Sequence, residues 1–202
     1  MPRPLIPERR TRILDAAEEL VLEHGFDAMS VQQIAERAGI AKGAVYREFA
    51  SKAQILDELL TRAMERMSAR SRRLLHGEEH PALSHAYRVA ARVLLDDRLM
   101  TAAFTDDRGV LGSYLDTVVD DRYRVRHRAV ASWISALADT GAFRREVDVE
   151  ALALVLSSTT LGMLQAAERL GPVPPARLRA AIETMGELVA SLETGEGRSA
   201  PA

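Results

Sequence analysis

There is no cysteine in the chain, which excludes disulfides and thiolate metal sites. Aromatic residues make up 4% of it, so each large ring stands out. Lysine is scarcer still: the 27 Lys+Arg include only two lysines, Lys42 and Lys52. No apolar run approaches the roughly 20 residues of a membrane span, and no signal peptide opens the chain; a soluble cytoplasmic protein without a membrane partner is expected. No Gly-rich phosphate loop, nucleophile elbow or other catalytic constellation is found, so no enzyme, cofactor or metal site is expected. Excess positive charge is missing too. The net charge is −2, and residues 1–60 hold 8 Lys+Arg against 10 Asp+Glu. Any nucleic-acid partner must be read from where charges sit, not from their sum. What is present is apolar: 47% of 202 residues, ample for a core and compatible with one domain or two.

The stretch from Ser30 to Lys52, SVQQIAERAGIAKGAVYREFASK, organises the rest. Ser30 and Gln33 have capping-box spacing, which ties down two free N–H groups at a helix start. Val31, Ile34, Ala35 and Ala38 then recur at helical spacing. Gly39 tolerates the left-handed backbone of a C-terminal cap, and Ile40 plugs the turn. A second helix runs from about Lys42, with Val45 and Phe49 inward. Ser51 and Gln54 form another capping box and start a third. Two helices joined by a short Gly-containing turn make a helix-turn-helix, whose second helix can enter a DNA major groove. Lys42 and Lys52 both fall in a first helical turn, where the helix dipole disfavours a cation. An external phosphate would favour it. Tyr46, Arg47 and Arg37 lie around the same surface.

Gly25-Phe26 followed by SVQQIAERAGIAKGAVYREFASKAQIL resembles the DNA-binding domain of the tetracycline-repressor (TetR) family of bacterial regulators, over roughly residues 8 to 60. The resemblance implies that Lys52 meets a phosphate, that Lys42, Gly43 and Ala44 face base edges, that Gln32 reaches in from the preceding helix, and that Tyr46 touches backbone or a thymine methyl. Ser30 and Arg47 complete the DNA-facing set. Three positions depart from the family pattern. Ala41 stands where a capping Ser is common, Ala50 replaces a frequent Pro or Gly, and Glu48 occupies a place often held by an aromatic or His near a phosphate. A carboxylate there repels DNA, so Glu48 is expected to point away or to pair with Arg47 or Lys52.

Before this stretch, MPRPLIPERR reads as an arm whose Arg3, Arg9 and Arg10 either lie along DNA or are simply solvated. A helix then covers Arg9 to His24, with Ile13, Ala16, Ala17, Leu20 and Val21 on one face, and Gly25 ends it. After it, a long helix runs from Lys52 to about Leu75. His76 to His80 spells H-x-x-E-H, a zinc-peptidase signature, but Gly77 inside it and Pro81 after it argue for a loop. From Pro81 to Leu192 every segment reads helical. Three Asp-Asp-Arg triplets, at Asp96, Asp106 and Asp120, sit near helix boundaries, where Asp caps.

In the helix from Asp148 to Leu170, Ser158, Gly162 and Ala166 form a stripe of small residues that admits a close neighbour. In the last helix, Leu178, Ile182, Met185, Val189 and Leu192 form an a/d seam. Both patterns fit an intramolecular core. They also suggest a two-fold four-helix interface, hence a homodimer, as the family resemblance implies. Met100, Phe104, Tyr114, Tyr123, Trp133 and Met163 are candidates for an apolar effector pocket, which the resemblance implies; ordinary core is the alternative for each. The expected architecture is all-α. An N-terminal arm and helix-turn-helix domain occupies 1–52, a helical effector-binding and dimerisation domain 53–195, and a disordered tail 196–202. The expected function is a repressor of a palindromic operator, with operator DNA and a small effector as partners. An all-helical enzyme or scaffold that does not bind DNA is the alternative.

Overall fold

The computed structural model describes residues 8–76, 81–117, 122–169 and 173–194. The arm with Arg3, the H-x-x-E-H segment beyond His76, Asp120 and Asp121, the side chain of Tyr123, and the tail 196–202 lie outside the described residues. The described chain is all-α: α1 (Arg9–Ala28), α2 (Val31–Arg37), α3 (Lys42–Glu48), α4 (Lys52–Leu74), α5 (Leu83–Leu95), α6 (Arg98–Thr105), α7 (Arg108–Leu111) running into a 3-10 turn (Gly112–Asp116), α8 (Arg122–Asp139), α9 (Val149–Arg169) and α10 (Pro175–Ala190). It forms two compact units, Met1–Arg66 with Asp97–Val118, and Met67–Asp96 with Val119–Ala202. The division falls inside α4, beyond residue 52, and the first unit takes in α6 and α7.

In the first unit, α1 buries Ile13, Leu14, Ala16, Ala17, Leu20 and Val21, each large one worth about 1.5–3 kcal/mol when removed from water. Its regular backbone breaks at Gly25, where φ is 80°. A Cβ there would run into the backbone carbonyl of Gly109, so only glycine permits both the turn and the contact. The break leads directly into α2. Ser30 accepts from the Gln33 N–H at 3.2 Å, and the Gln33 carboxamide oxygen accepts from the Ser30 N–H at 2.9 Å. At the other end the Gly39 N–H reaches Glu36 O and the Ile40 N–H reaches Ala35 O, the paired bonds of a Schellman cap, with Gly39 at φ 65°. The Arg12 guanidinium closes this end by donating to Ala38 O. At the start of α4 the Gln54 N–H bonds Ser51 Oγ, while the Gln54 side chain accepts from the Ala50 N–H, one residue earlier than the usual box. Asp97 caps α6 through the Met100 N–H, and Asp107 caps α7 through the Gly109 N–H. Those two triplets therefore act as helix starts.

The second unit pairs α5 with α10 and α8 with α9. Leu83, Tyr87, Ala91, Ile134, Leu156, Ile182 and Val189 belong to its core. Ala82 gives α5 no side-chain cap. Glu193, 109 residues away from Ser84 in sequence, does this instead: its carboxylate accepts from the Ser84 N–H at 3.0 Å and from Ser84 Oγ at 2.6 Å. Glu183 of α10 pairs with Arg88 and Arg92 of α5.

Candidate nucleic-acid interface and effector cavity

Helix α3 has two faces set by its period of 3.6 residues. Lys42, Gly43, Tyr46 and Arg47 point to solvent, Tyr46 at 52% exposure. Ala44, Val45 and the following Phe49 are buried. Ala44 is thus part of the head's own core, and its methyl does not face outward as a base-edge contact requires. No Cβ neighbour crowds Gly43, so a ligand can approach the backbone closely there. Gln32 is exposed on α2 and donates to Glu36 Oε1 at 2.7 Å. The Ser30 hydroxyl is engaged in the capping box.

The acidic residues nearby are tied down. Glu48 pairs with Arg9 at 3.2 Å rather than with Arg47 or Lys52. Arg10 donates to Glu48 O and lies 4.3 Å above the Phe49 ring. Arg9 and Arg10 are therefore engaged within the head. Arg37 pairs with Glu19 and Glu23, and its hydrogen bond holds the Glu23 carboxyl below the usual value.

Lys52 differs most from the expected arrangement. Its Nζ donates to Phe26 O at 2.7 Å, Met29 O at 3.0 Å and Asp27 O at 3.4 Å, and lies 4.2 Å over the Phe26 ring. In place of an external anion, the partial negative charge of the carbonyls at the end of α1 compensates the lysine. The same corner gathers residues distant in sequence. The Asp27 carboxylate accepts from the Ser113 N–H at 3.1 Å and from Ser113 Oγ at 2.5 Å. These bonds, with the Lys52 charge as a lesser cause, hold the Asp27 carboxyl below its ordinary 3.8. The Phe26 and Tyr114 rings stand 5.6 Å apart, and Tyr114 Oη donates to Asp57 Oδ1 at 2.5 Å. Nothing in the spacing of the sequence signals the Asp27–Ser113 pair.

The expected effector set is split. Met100, Phe104 and Tyr114 are buried in the first unit. Trp133 and Met163 pack against the core of the second. A partly open cavity of about 70 Å³ lies in that second unit, among Leu83 and Tyr87 of α5, Val130 and Trp133 of α8, and Ser157 and Thr160 of α9. Trp133 is the member of the expected set that lines it.

The two stripes expected at a dimer interface also part company. Ile182 and Val189 of the α10 seam are buried in the unit's own core, with Leu178 and Met185 half-buried. That seam packs on α5, because the a/d period describes any helix with one inward face. The outward side of α10 instead exposes Leu188 at 60%. On α9, Ser158 and Gly162 are exposed and Ala166 half-buried, flanked by Leu154 and Val155 at 59% and 49% exposure. A Cβ added at Gly162 would meet nothing within 4 Å. Among the described residues α9 is the helix long and apolar enough to cross a membrane, with a mean hydropathy of 1.4 over Val149–Ala166. Only 22% of that window is buried.

A capped helix-turn-helix with a cationic outward face is the arrangement that places a recognition helix in a DNA major groove, here joined in one chain to a second helical unit. The family profile for bacterial regulatory proteins of the tetR family matches residues 13–59. The chain is 25% identical over 158 residues to the HTH-type transcriptional repressor KstR2 of Mycobacterium tuberculosis, covering 77% of this chain and 79% of that one. It is 36% identical over 100 residues to the repressor KstR of Mycolicibacterium smegmatis, covering 48% of this chain and 49% of that one. The fold matches the structure of the ketosteroid transcriptional regulator KstR2 of Mycobacterium tuberculosis with a TM-score of 0.60 and 22% identity, covering 94% and 97% of the two chains. Residues 13–59 thus match the tetR family of bacterial regulatory proteins, and the chain is similar over most of its length to a transcriptional repressor.

Proposed function

We propose that this regulator is a cytoplasmic repressor that binds a two-fold operator as a homodimer and is released by a small, mainly apolar effector. The outward face of α3 carries this reading: Lys42, Gly43, Tyr46 and Arg47 are exposed while Glu48 is turned to Arg9. Lys42 and Gly43 approach base edges in the major groove, and Tyr46 and Arg47 hold the sugar-phosphate backbone. Gln32 and Ser30 support them from α2. Lys52 acts one step back, by latching the start of α4 to the end of α1 and so fixing the pose of the helix-turn-helix.

The exposed α9 stripe of Ser158, Gly162 and Ala166, with Leu154 and Val155, is the surface suited to a second copy. An apolar face of this kind seeks a partner, and a copy of the chain explains it without a membrane. A dimer places two recognition helices in successive major grooves about 34–36 Å apart. Repression follows the relatives, which are named repressors. A gel shift of the purified chain on DNA flanking its own gene tests the reading. A discrete complex at protomer-to-site ratio two is expected. Failure to prefer that DNA over unrelated sequence would favour the alternative of a helical protein that has lost DNA binding.

A further inference from the structure

The cavity between α5, α8 and α9 has a wall feature that the packing of the second unit does not use. Ser157 Oγ is buried and has no hydrogen-bond partner among the described residues. A serine inside a helix ordinarily satisfies itself on the carbonyl one turn back. Thr160 does so, donating to Leu156 O at 2.9 Å, and its hydroxyl lies 3.4 Å from Tyr87 Oη. Ser157, which lines the same cavity, does not. An unmade bond at a buried hydroxyl is a cost with no return in the folded protein alone. The rest of the wall is apolar, including Leu83, Val130, Trp133 and Leu156, and no charged side chain lines the cavity among the described residues.

We propose that Ser157 reads the single polar group of an uncharged effector, a hydroxyl or ketone on an apolar body, with the Thr160 and Tyr87 hydroxyls beside it. The inference rests on the effector-responsive reading above and names its chemical class. Charge decides the class: a carboxylate or phosphate would lose its hydration here with no cation to replace it. A hydroxyl cluster can donate to a ketone and both donate to and accept from an alcohol. Size sets a second condition. At about 70 Å³ the space is smaller than the roughly 150 Å³ that admits benzene in an engineered protein cavity. A ring-sized effector therefore enters only as the wall yields or where it extends through the open side of the cavity, so the probes are kept to a single ring.

Trp133 is the single tryptophan of the chain and lines the cavity, so its fluorescence reports occupancy directly. Titrate the full-length protein with cyclohexanol, cyclohexanone, methylcyclohexane and cyclohexanecarboxylate at neutral pH. Repeat with Ser157→Ala and with Ser157→Thr, which keeps the hydroxyl. Cyclohexanol and cyclohexanone should bind, and the carboxylate should bind at least about tenfold more weakly, since its charge would be buried unpaired. Ser157→Ala should weaken the alcohol and ketone about three- to tenfold, the worth of one hydrogen bond, leave methylcyclohexane unchanged, and be rescued by Ser157→Thr. Carboxylate binding as tight as alcohol, an unchanged Ser157→Ala, or no response of Trp133 to any neutral probe would overturn the proposal. A parallel gel shift without probe keeps the failures apart: operator binding with no probe response sinks this proposal alone, and absent operator binding sinks the regulator reading itself.

Discussion

Replacing Lys52 by alanine separates two roles that the same lysine could fill. The ammonium meets three carbonyls at the end of α1 and the face of Phe26. A hydrogen bond to a charged group contributes about 1.5–3 kcal/mol, a cation–π contact about 0.5–1 kcal/mol where water has access, and a cation at a helix C-terminus about 0.3–1 kcal/mol. These overlap, because one ammonium makes them all, and Lys52 is half-buried, so water recovers part of the loss. Lys52→Ala should therefore cost about 2–3 kcal/mol rather than the sum. At about 2–4 °C per kcal/mol for a chain of this size, Tm falls by about 4–12 °C. Lys52→Met, which keeps the apolar stem, should lose most of the same stability. Circular dichroism melts give the stability. Operator titrations at several salt concentrations, run well below the variant's melting point, give the second readout. A lysine on a phosphate would lower the salt slope by about 1; a lysine latched to α1 leaves it unchanged. Unaltered stability with a reduced slope would refute the latch.

Gly25→Ala should destabilise by more than about 2 kcal/mol, because a positive φ and a backbone clash with Gly109 act together; thermal melts check it. Gly162→Leu should leave the protomer folded, since open space surrounds the new side chain, while shifting sedimentation from dimer to monomer and abolishing the two-protomer operator complex. A Gly162→Leu protein that remains dimeric places the interface elsewhere. Asp27→Asn tests pH linkage. The folded Asp27 pKa is depressed, so its contribution is present above the ordinary 3.8 and lost as pH falls through the folded value. The variant and the native chain should differ in melting temperature at neutral pH and converge in strong acid.

Local rules carried far into this structure, and long-range pairing marks where they stop. The capping box at Ser30, the glycine cap at Gly39 and the Asp caps at Asp97 and Asp107 are each written within four residues, and each forms. Lys52 shows a local premise leading to a different partner: a cation at a helix start does need acceptors that offset it, but the carbonyls of Phe26 and Met29 that do so are 26 and 23 residues away. Ala44 needed only the helical period applied strictly, since it shares the buried side with Val45. The α10 seam was visible, but which neighbour it faces was not, because periodicity marks an inward face without saying what lies opposite. The Glu193 cap on α5 and the Ser113 hold on Asp27 span 109 and 86 residues. In the sequence Ser157 is one small residue beside a small-residue stripe; its unmet hydroxyl exists only once three helices are packed.

The central claim, that α3 reads operator DNA, is met most directly by fluorescence anisotropy of the intact protein on labelled DNA from beside its own gene, with Lys42→Ala measured alongside. A tight, salt-dependent complex is expected, and Lys42→Ala should cost about 1–3 kcal/mol and relax preference at one position in each half-site. Equal affinity for that DNA and for random sequence, or a Lys42→Ala protein that binds and discriminates like the native chain, would contradict it.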